Sequence, residues 1–262
     1  MTLFLRSGFI GLGIVLLALS QVGCATRASN NLNSSPQLLS RAQSIAKAHT
    51  ELAAQYYERS QPGIALEELD AALKADAKYA PAYNVRALVH MALREPKRAE
   101  EDFRYSLQLD GNDSDTHNNY GWFLCQQGRD SESMEHFMIA LKNPLYTTPS
   151  KAYLNAGLCA RKSGNIKDAE NFLQKALIVQ QDMPEALFGL ADMAFASGDY
   201  AGAKSFLLRF NRANSNLTAE NLWLAVRIER KLGDTIAEHN YATQLRQRFP
   251  DARETQLMVY GQ

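Results

Sequence analysis

The side chains in this sequence that could do chemistry are five histidines, three cysteines and several runs of carboxylates. His49, His90, His117, His136 and His239 are scattered along the chain, and none stands in a His-Glu-x-x-His or similar spacing that would bring two imidazoles to one metal. There is no glycine-rich phosphate loop and no Gly-x-Ser-x-Gly elbow to carry a nucleophile. Glu67-Glu68 and Glu100-Glu101-Asp102 fall on helical stretches with the spacing of solvated faces. The 28 basic residues balance the 28 acidic ones, so no overall field draws nucleic acid. These observations imply no enzyme, no metal, no cofactor, no small-molecule substrate and no nucleic-acid partner.

Cys24 is set apart by what precedes it. Arg6 is followed by the apolar run Phe9 to Leu19, broken only by Gly11 and Gly13. That run is about half of the ~20 residues a membrane-spanning helix needs, and a short apolar core behind a positive charge is the pattern of an export signal. It ends in Gln21-Val22-Gly23-Cys24, which resembles the bacterial lipobox. The resemblance implies a lipoprotein signal peptide over residues 1–23 and an acylated Cys24 as the new N-terminus. Ala25 follows; an Asp there retains lipoproteins in the inner membrane, so the resemblance implies lipid anchoring on the periplasmic face of the outer membrane. Each buried CH₂ contributes roughly 0.8 kcal/mol, so several acyl chains make attachment permanent where one does not. Residues 24–40 then read as a flexible tether, because Ala25 to Pro36 is rich in Asn and Ser with one large apolar residue, Leu32.

The elements beyond the tether repeat. A small residue recurs at Ala65, Ala99, Ser133, Ala169, Ala203 and Ala237, at intervals of 34, 34, 36, 34 and 34. A bulky residue follows each by four positions (Leu69, Phe103, Phe137, Leu173, Leu207, Tyr241), and another small one precedes each by twelve (Ala53, Ala87, Gly121, Gly157, Ala191, Ala225). Gly128-Arg129-Asp130, Gly164-Asn165 and Gly198-Asp199-Tyr200 mark turns between two helical halves. The period of 34 resembles the tetratricopeptide repeat and implies an all-α solenoid of about six helix-turn-helix units over residues 41–250, with a tail at 251–262. Ser40 to Ile45 reads as a lead-in turn, and the two extra residues near Pro144 to Pro149 predict a longer loop between units three and four. Phe210 and Gln244 stand where small residues are expected, which predicts irregular packing or a cap at the C-terminal end.

Cys125 and Cys159 occupy nearly equivalent places on the first helices of units three and four. A disulfide is open to them, but Cys159 sits two positions earlier in its unit and bridge geometry is strict, so two buried thiols are the expected state. In tetratricopeptide arrays the first helices line a concave surface. Positions 9 and 12 of those helices include Ala54, Tyr57, Leu88, Met91, Trp122, Leu158, Phe188, Phe195 and Val226, an apolar and partly aromatic stripe of which helix rotation buries a part. Asn84 and Asn118, at position 5, could hydrogen-bond the backbone of an extended peptide, or serve only as solvated surface. The clamp that grips chaperone C-termini uses Lys and Arg with Asn; this chain has Thr50, Ala54, Asn84, Val85, Asp115 and Asn119 at the corresponding places, so the basic side chains are missing.

A narrower likeness rests on His117-Asn118-Asn119-Tyr120-Gly121-Trp122-Phe123-Leu124, on Pro144-Leu145-Tyr146, on Ala191-Asp192 and Ala225-Val226-Arg227, and on Gln244-Leu245-Arg246 before Phe249-Pro250. With the lipobox and six repeats, the chain resembles the type IV pilus biogenesis lipoproteins of the PilF/PilW group over the whole mature length. Members of that family are pilotins, which bind the secretin subunit of the pilus machine and help it reach the outer membrane and multimerise. The resemblance implies the same partner here, engaged by the first-helix surface of the early repeats through Tyr57, Asn84, Leu88, Met91, Asn118 and Trp122, and a requirement for pili and twitching. A periplasm-facing scaffold that recruits cell-wall enzymes or outer-membrane assembly factors is the alternative the sequence leaves open.

Overall fold

Prolines and short polar side chains set where the helices begin. Pro occupies the first turn of α2 (Pro62–Ala75), α3 (Ala80–Ala92), α4 (Pro96–Leu109), α7 (Pro149–Lys162) and α9 (Pro184–Ser197), where its missing N–H costs nothing. Asp113, Asn165, Asp199, Thr218 and Asp234 cap α5 (Ser114–Gln126), α8 (Ile166–Val179), α10 (Tyr200–Ala213), α11 (Ala219–Leu232) and α12 (Thr235–Arg248) by accepting from backbone N–H groups. With α1 (Pro36–Glu58), α6 (Asp130–Lys142) and α13 (Arg253–Tyr260), thirteen helices and no strand make up the computed structural model, which describes residues 36–260, with side chains from 41. The signal-like run and Cys24 lie outside the described residues. Among these residues no helix is long and apolar enough to cross a membrane.

The helices pair as six hairpins, α1 with α2 through α11 with α12. The turn inside the last four places Gly128, Gly164, Gly198 and Gly233 at φ between +76° and +87°, a conformation glycine adopts without penalty. Successive first helices (α1, α3, α5, α7, α9, α11) also approach one another, whereas the second helices make no backbone approach among themselves. The array therefore curves with its first helices on the inner side.

Small residues inside each hairpin are what let the helices close. At Gly121 an added Cβ would lie 2.9 Å from the Phe137 ring and 3.0 Å from the Ser133 carbonyl, and Phe137 is fully buried. Gly121→Ala is expected to introduce about 1–3 kcal/mol of overpacking strain against about 1 kcal/mol of helix propensity gained. The net result is a lower urea midpoint; an unchanged or raised midpoint would show that the α5–α6 contact yields freely.

Several boundaries differ from the sequence reading. Helix α1 begins at Pro36, inside the stretch expected to be tether, and continues through Ser40 to Ile45 with no lead-in turn. Pro at its first position and the helix formers that follow account for this. The expected tail contains α13, whose Thr255 and Met258 are buried on the end of the array, with Met258 in the cluster of Leu222, Trp223 and Leu245. The longer loop after unit three holds: six residues separate α6 from α7, against four between α2 and α3. Tyr146 of that loop fills the gap beside Ala140 and Ala152.

Unit six is shifted by one residue. The loop from α10 to α11 has five residues, so the place of Ala203 is taken by Glu238 and not by Ala237. The cap of Asp234 fixes this register, since the other second helices carry their key small residue four positions after the N-cap. Leu245 and not Gln244 is then the buried equivalent of Phe210, and Asn221 forms a capping box with Thr218 at the start of α11. Phe210 itself is buried against Phe188, ring centroids 5.5 Å apart.

Cys125 and Cys159 form a disulfide between α5 and α7, with Cα atoms 5.9 Å apart. The expectation of free thiols is corrected: successive first helices are staggered, so residues two positions apart in their units meet. A bridge closing a loop of this length contributes about 3–4 kcal/mol by constraining the unfolded chain.

Candidate protein-binding groove

The inner face is built from positions 5, 9 and 12 of each first helix. In the N-terminal half it carries Tyr57 on α1, Leu88 and Met91 on α3, Trp122 on α5 and Leu158 on α7, all half-buried. Each lies over a buried cluster: Tyr57 on Ala53 and Leu69, Leu88 and Met91 on Phe103 and Phe123, Trp122 on the disulfide and Phe137. Met91 also lines a cavity of about 320 Å³ with Arg94, Pro96, Phe123, Gln126 and Gln127 at the turn-side rim. Val226 is fully buried, because the shift in unit six moves it to position 8.

Asn84 and Asn118 are not the exposed pair the sequence suggested. They are 7% and 3% exposed and belong to a chain of amides that crosses three helices. Asn155 Nδ2 donates to Asn118 Oδ1 (3.0 Å), Asn118 Nδ2 to Asn119 Oδ1 (3.3 Å), and Asn119 Nδ2 to Asn84 Oδ1 (3.1 Å). All four amides thus point the same way. Asn118 has both its amide atoms engaged and positions its neighbours. Asn84, whose Nδ2 makes no hydrogen bond among the described residues, keeps donors for a ligand. Asn119 and Asn155 were missed; Asn at positions 5 and 6 of consecutive units was the available signal.

The C-terminal half is charged and aromatic. Arg161 on α7 donates from Nη1 to Asp192 Oδ2 on α9 at 2.9 Å. Arg227 on α11 stands over the rings of Phe195 (4.7 Å) and Trp223 (5.7 Å). Counted in the shifted register, Trp223, Arg227 and Arg230 are positions 5, 9 and 12, so they continue the groove.

Outside the groove, carboxylates read as solvated turn out to tie helices together. Asp102 is buried and takes a two-pronged bond from Arg86 (2.8 and 2.7 Å). Glu68 meets His49 Nδ1 at 2.6 Å, and Glu100 accepts from Arg129 at 2.6 Å. The period of the second helices gave no hint of this, because the partners come from neighbouring helices.

Behind the floor, His117 Nε2 donates to the Gly111 carbonyl (3.1 Å), which leaves its Nδ1 to accept from His136 Nδ1 at 2.8 Å. Burial, and then the neighbouring His117, push the His136 imidazole down to about 4. The unfolded chain takes up a proton below the ordinary 6.5 while the folded one does not, so stability falls as pH drops from about 6.5 to about 4. The Arg129 guanidinium, hydrogen-bonded to Glu132, holds that carboxyl below the usual carboxylate range. A lower urea midpoint at about pH 5 than at about pH 7.5 is expected, with the difference reduced in His136→Gln. An equal difference in the variant would remove His136 from the account.

Sequence models of the tetratricopeptide repeat match residues 50–114 and 160–220. The solved structure of PilW, a widely conserved type IV pilus biogenesis factor, matches with a TM-score of 0.74 at 33% identity, covering 82% of this chain and 98% of PilW. The chain belongs to the PilW/PilF family of type IV pilus biogenesis factors. The structure of Pseudomonas aeruginosa PilF matches with a TM-score of 0.77 at 26% identity, covering 84% of this chain and 99% of that one. The sequence of the type IV pilus assembly protein PilF from the same organism is 27% identical over 244 residues, 93% of this chain and 95% of PilF. Membership in the PilW/PilF family carries a role in type IV pilus biogenesis. The expected all-α solenoid and the family resemblance both hold.

Proposed function

We propose that the protein is an outer-membrane lipoprotein pilotin: Cys24 anchors it, and its inner face binds the secretin subunit of the type IV pilus machine and promotes that subunit's localisation and multimerisation. It works as a scaffold, by binding, without a catalytic step or cofactor. The observation that carries the binding reading is the inner face itself, where half-buried Tyr57, Leu88, Met91, Trp122 and Leu158 follow one another across α1, α3, α5 and α7. Apolar side chains backed by packed clusters, beside ordered amides, form a surface that recognises side chains and backbone of an extended polypeptide. The Cys125–Cys159 disulfide suits an oxidising compartment such as the periplasm, in line with the export signal read from the sequence.

Deleting the gene is expected to deplete secretin multimers on immunoblots of outer-membrane fractions, with loss of surface pili and twitching. Wild-type multimer levels in the deletion strain would overturn the pilotin reading.

A further inference from the structure

Arg227 makes no hydrogen bond among the described residues, although a guanidinium offers five donors. Its Nε is shut away from solvent and unpaired, while the side chain as a whole is 34% exposed, so the exposure belongs to other atoms. The nearest carboxylate oxygen, Oδ1 of Asp192, is 4.0 Å from Nη2, beyond hydrogen-bond reach, and Asp192 is already held by Arg161 at 2.9 Å. Arg230 is matched by Glu238 at 2.8 Å, and the buried Glu229 by Lys204 at 2.7 Å. Arg161, Asp192, Arg227 and the Arg230–Glu238 pair therefore leave one positive charge in excess at this end of the inner face. The Arg227 guanidinium carbon lies 4.7 Å from the centre of the Phe195 ring and 5.7 Å from that of Trp223, so cation–π contact with these rings holds it and its Nη donors are left for an acceptor.

From this geometry we infer that the groove over α9 and α11 is a subsite for an acidic side chain, Asp or Glu, of an extended segment of the partner protein. The inference rests on the reading that the inner face holds a polypeptide and adds which chemistry it selects. A carboxylate at Arg227 makes a charge-assisted pair beside the Phe195 and Trp223 rings. Packed helices lie about 8–10 Å apart, so three steps from α5 to α11 cover about 24–30 Å, or about eight extended residues. The segment that lays an apolar residue on Trp122 thus carries its acid about eight residues away.

The test is selection of randomised peptides, long enough to span the groove and displayed without a free C-terminal carboxylate, on the full chain and on its Arg227→Lys and Arg227→Glu variants. Circular dichroism checks that the variants fold. On the wild type, an apolar consensus with Asp or Glu at that spacing is expected, and replacing the acid by its amide weakens binding about tenfold. Arg227→Lys keeps the acidic preference with lower affinity, and Arg227→Glu turns it towards Lys or Arg. An apolar consensus without an acid, or the same acidic preference in Arg227→Glu, overturns the subsite while leaving the groove standing. No consensus on any chain overturns both.

Discussion

Cys24→Ala is expected to leave the repeats folded while removing the protein from the outer membrane. The repeats begin at α1, and among the described residues the buried clusters draw on Ala46 and later positions. On the proposed function, membrane attachment rests instead on acyl chains at about 0.8 kcal/mol for each buried CH₂, which makes anchoring close to all-or-none. Fractionation should therefore find Cys24→Ala in the soluble periplasm or at the inner membrane, with secretin multimers falling towards the level of the deletion strain. Normal fractionation of the variant would show that something other than the lipid holds the protein at the membrane.

The second large effect is expected from Trp122→Ala combined with Met91→Ala. Both side chains are half-buried over packed clusters, Trp122 on Phe137 and the disulfide, Met91 on Phe103. A half-exposed aromatic over a rigid base is the usual form of an interface anchor, and loss of two such anchors weakens association by about 2–4 kcal/mol. Some stability goes with them, about 1–2 kcal/mol, because part of each side chain packs inward. The double variant should thus keep a cooperative melt while its affinity for the secretin subunit falls at least thirtyfold, roughly what 2 kcal/mol implies. A collapsed melt with no folded protein would mark these residues as core and remove them from the inner face.

How far the sequence revealed all this depends on which contacts are local. The small and bulky residues that close each hairpin recur at fixed spacing, because every hairpin solves the same packing problem, so Ala99 with Phe103 or Ala169 with Leu173 could be read without coordinates. Contacts between hairpins have no such period. The Arg86–Asp102 pair, the amide chain from Asn84 to Asn155 and the Cys125–Cys159 bridge depend on the stagger of neighbouring helices, which a repeat count does not supply. The one-residue insertion before α11 had the largest consequence. With Ala237 as the key small residue, the sequence places Val226 in the groove and hides Arg227 and Trp223 from it. The cap at Asp234 sets the true register, and the side chains that continue the inner face become visible only then.

On the proposed function, the inner, first-helix face holds the partner. Photo-crosslinking residues placed at Leu88, Trp122 and Leu158 on that face, and at Met138 and Ile178 on the second helices, test it in cells carrying the full-length protein. Adducts with the secretin subunit are expected from the three inner positions and none from the two outer ones. Adducts confined to Met138 and Ile178, with none from Trp122, would contradict it.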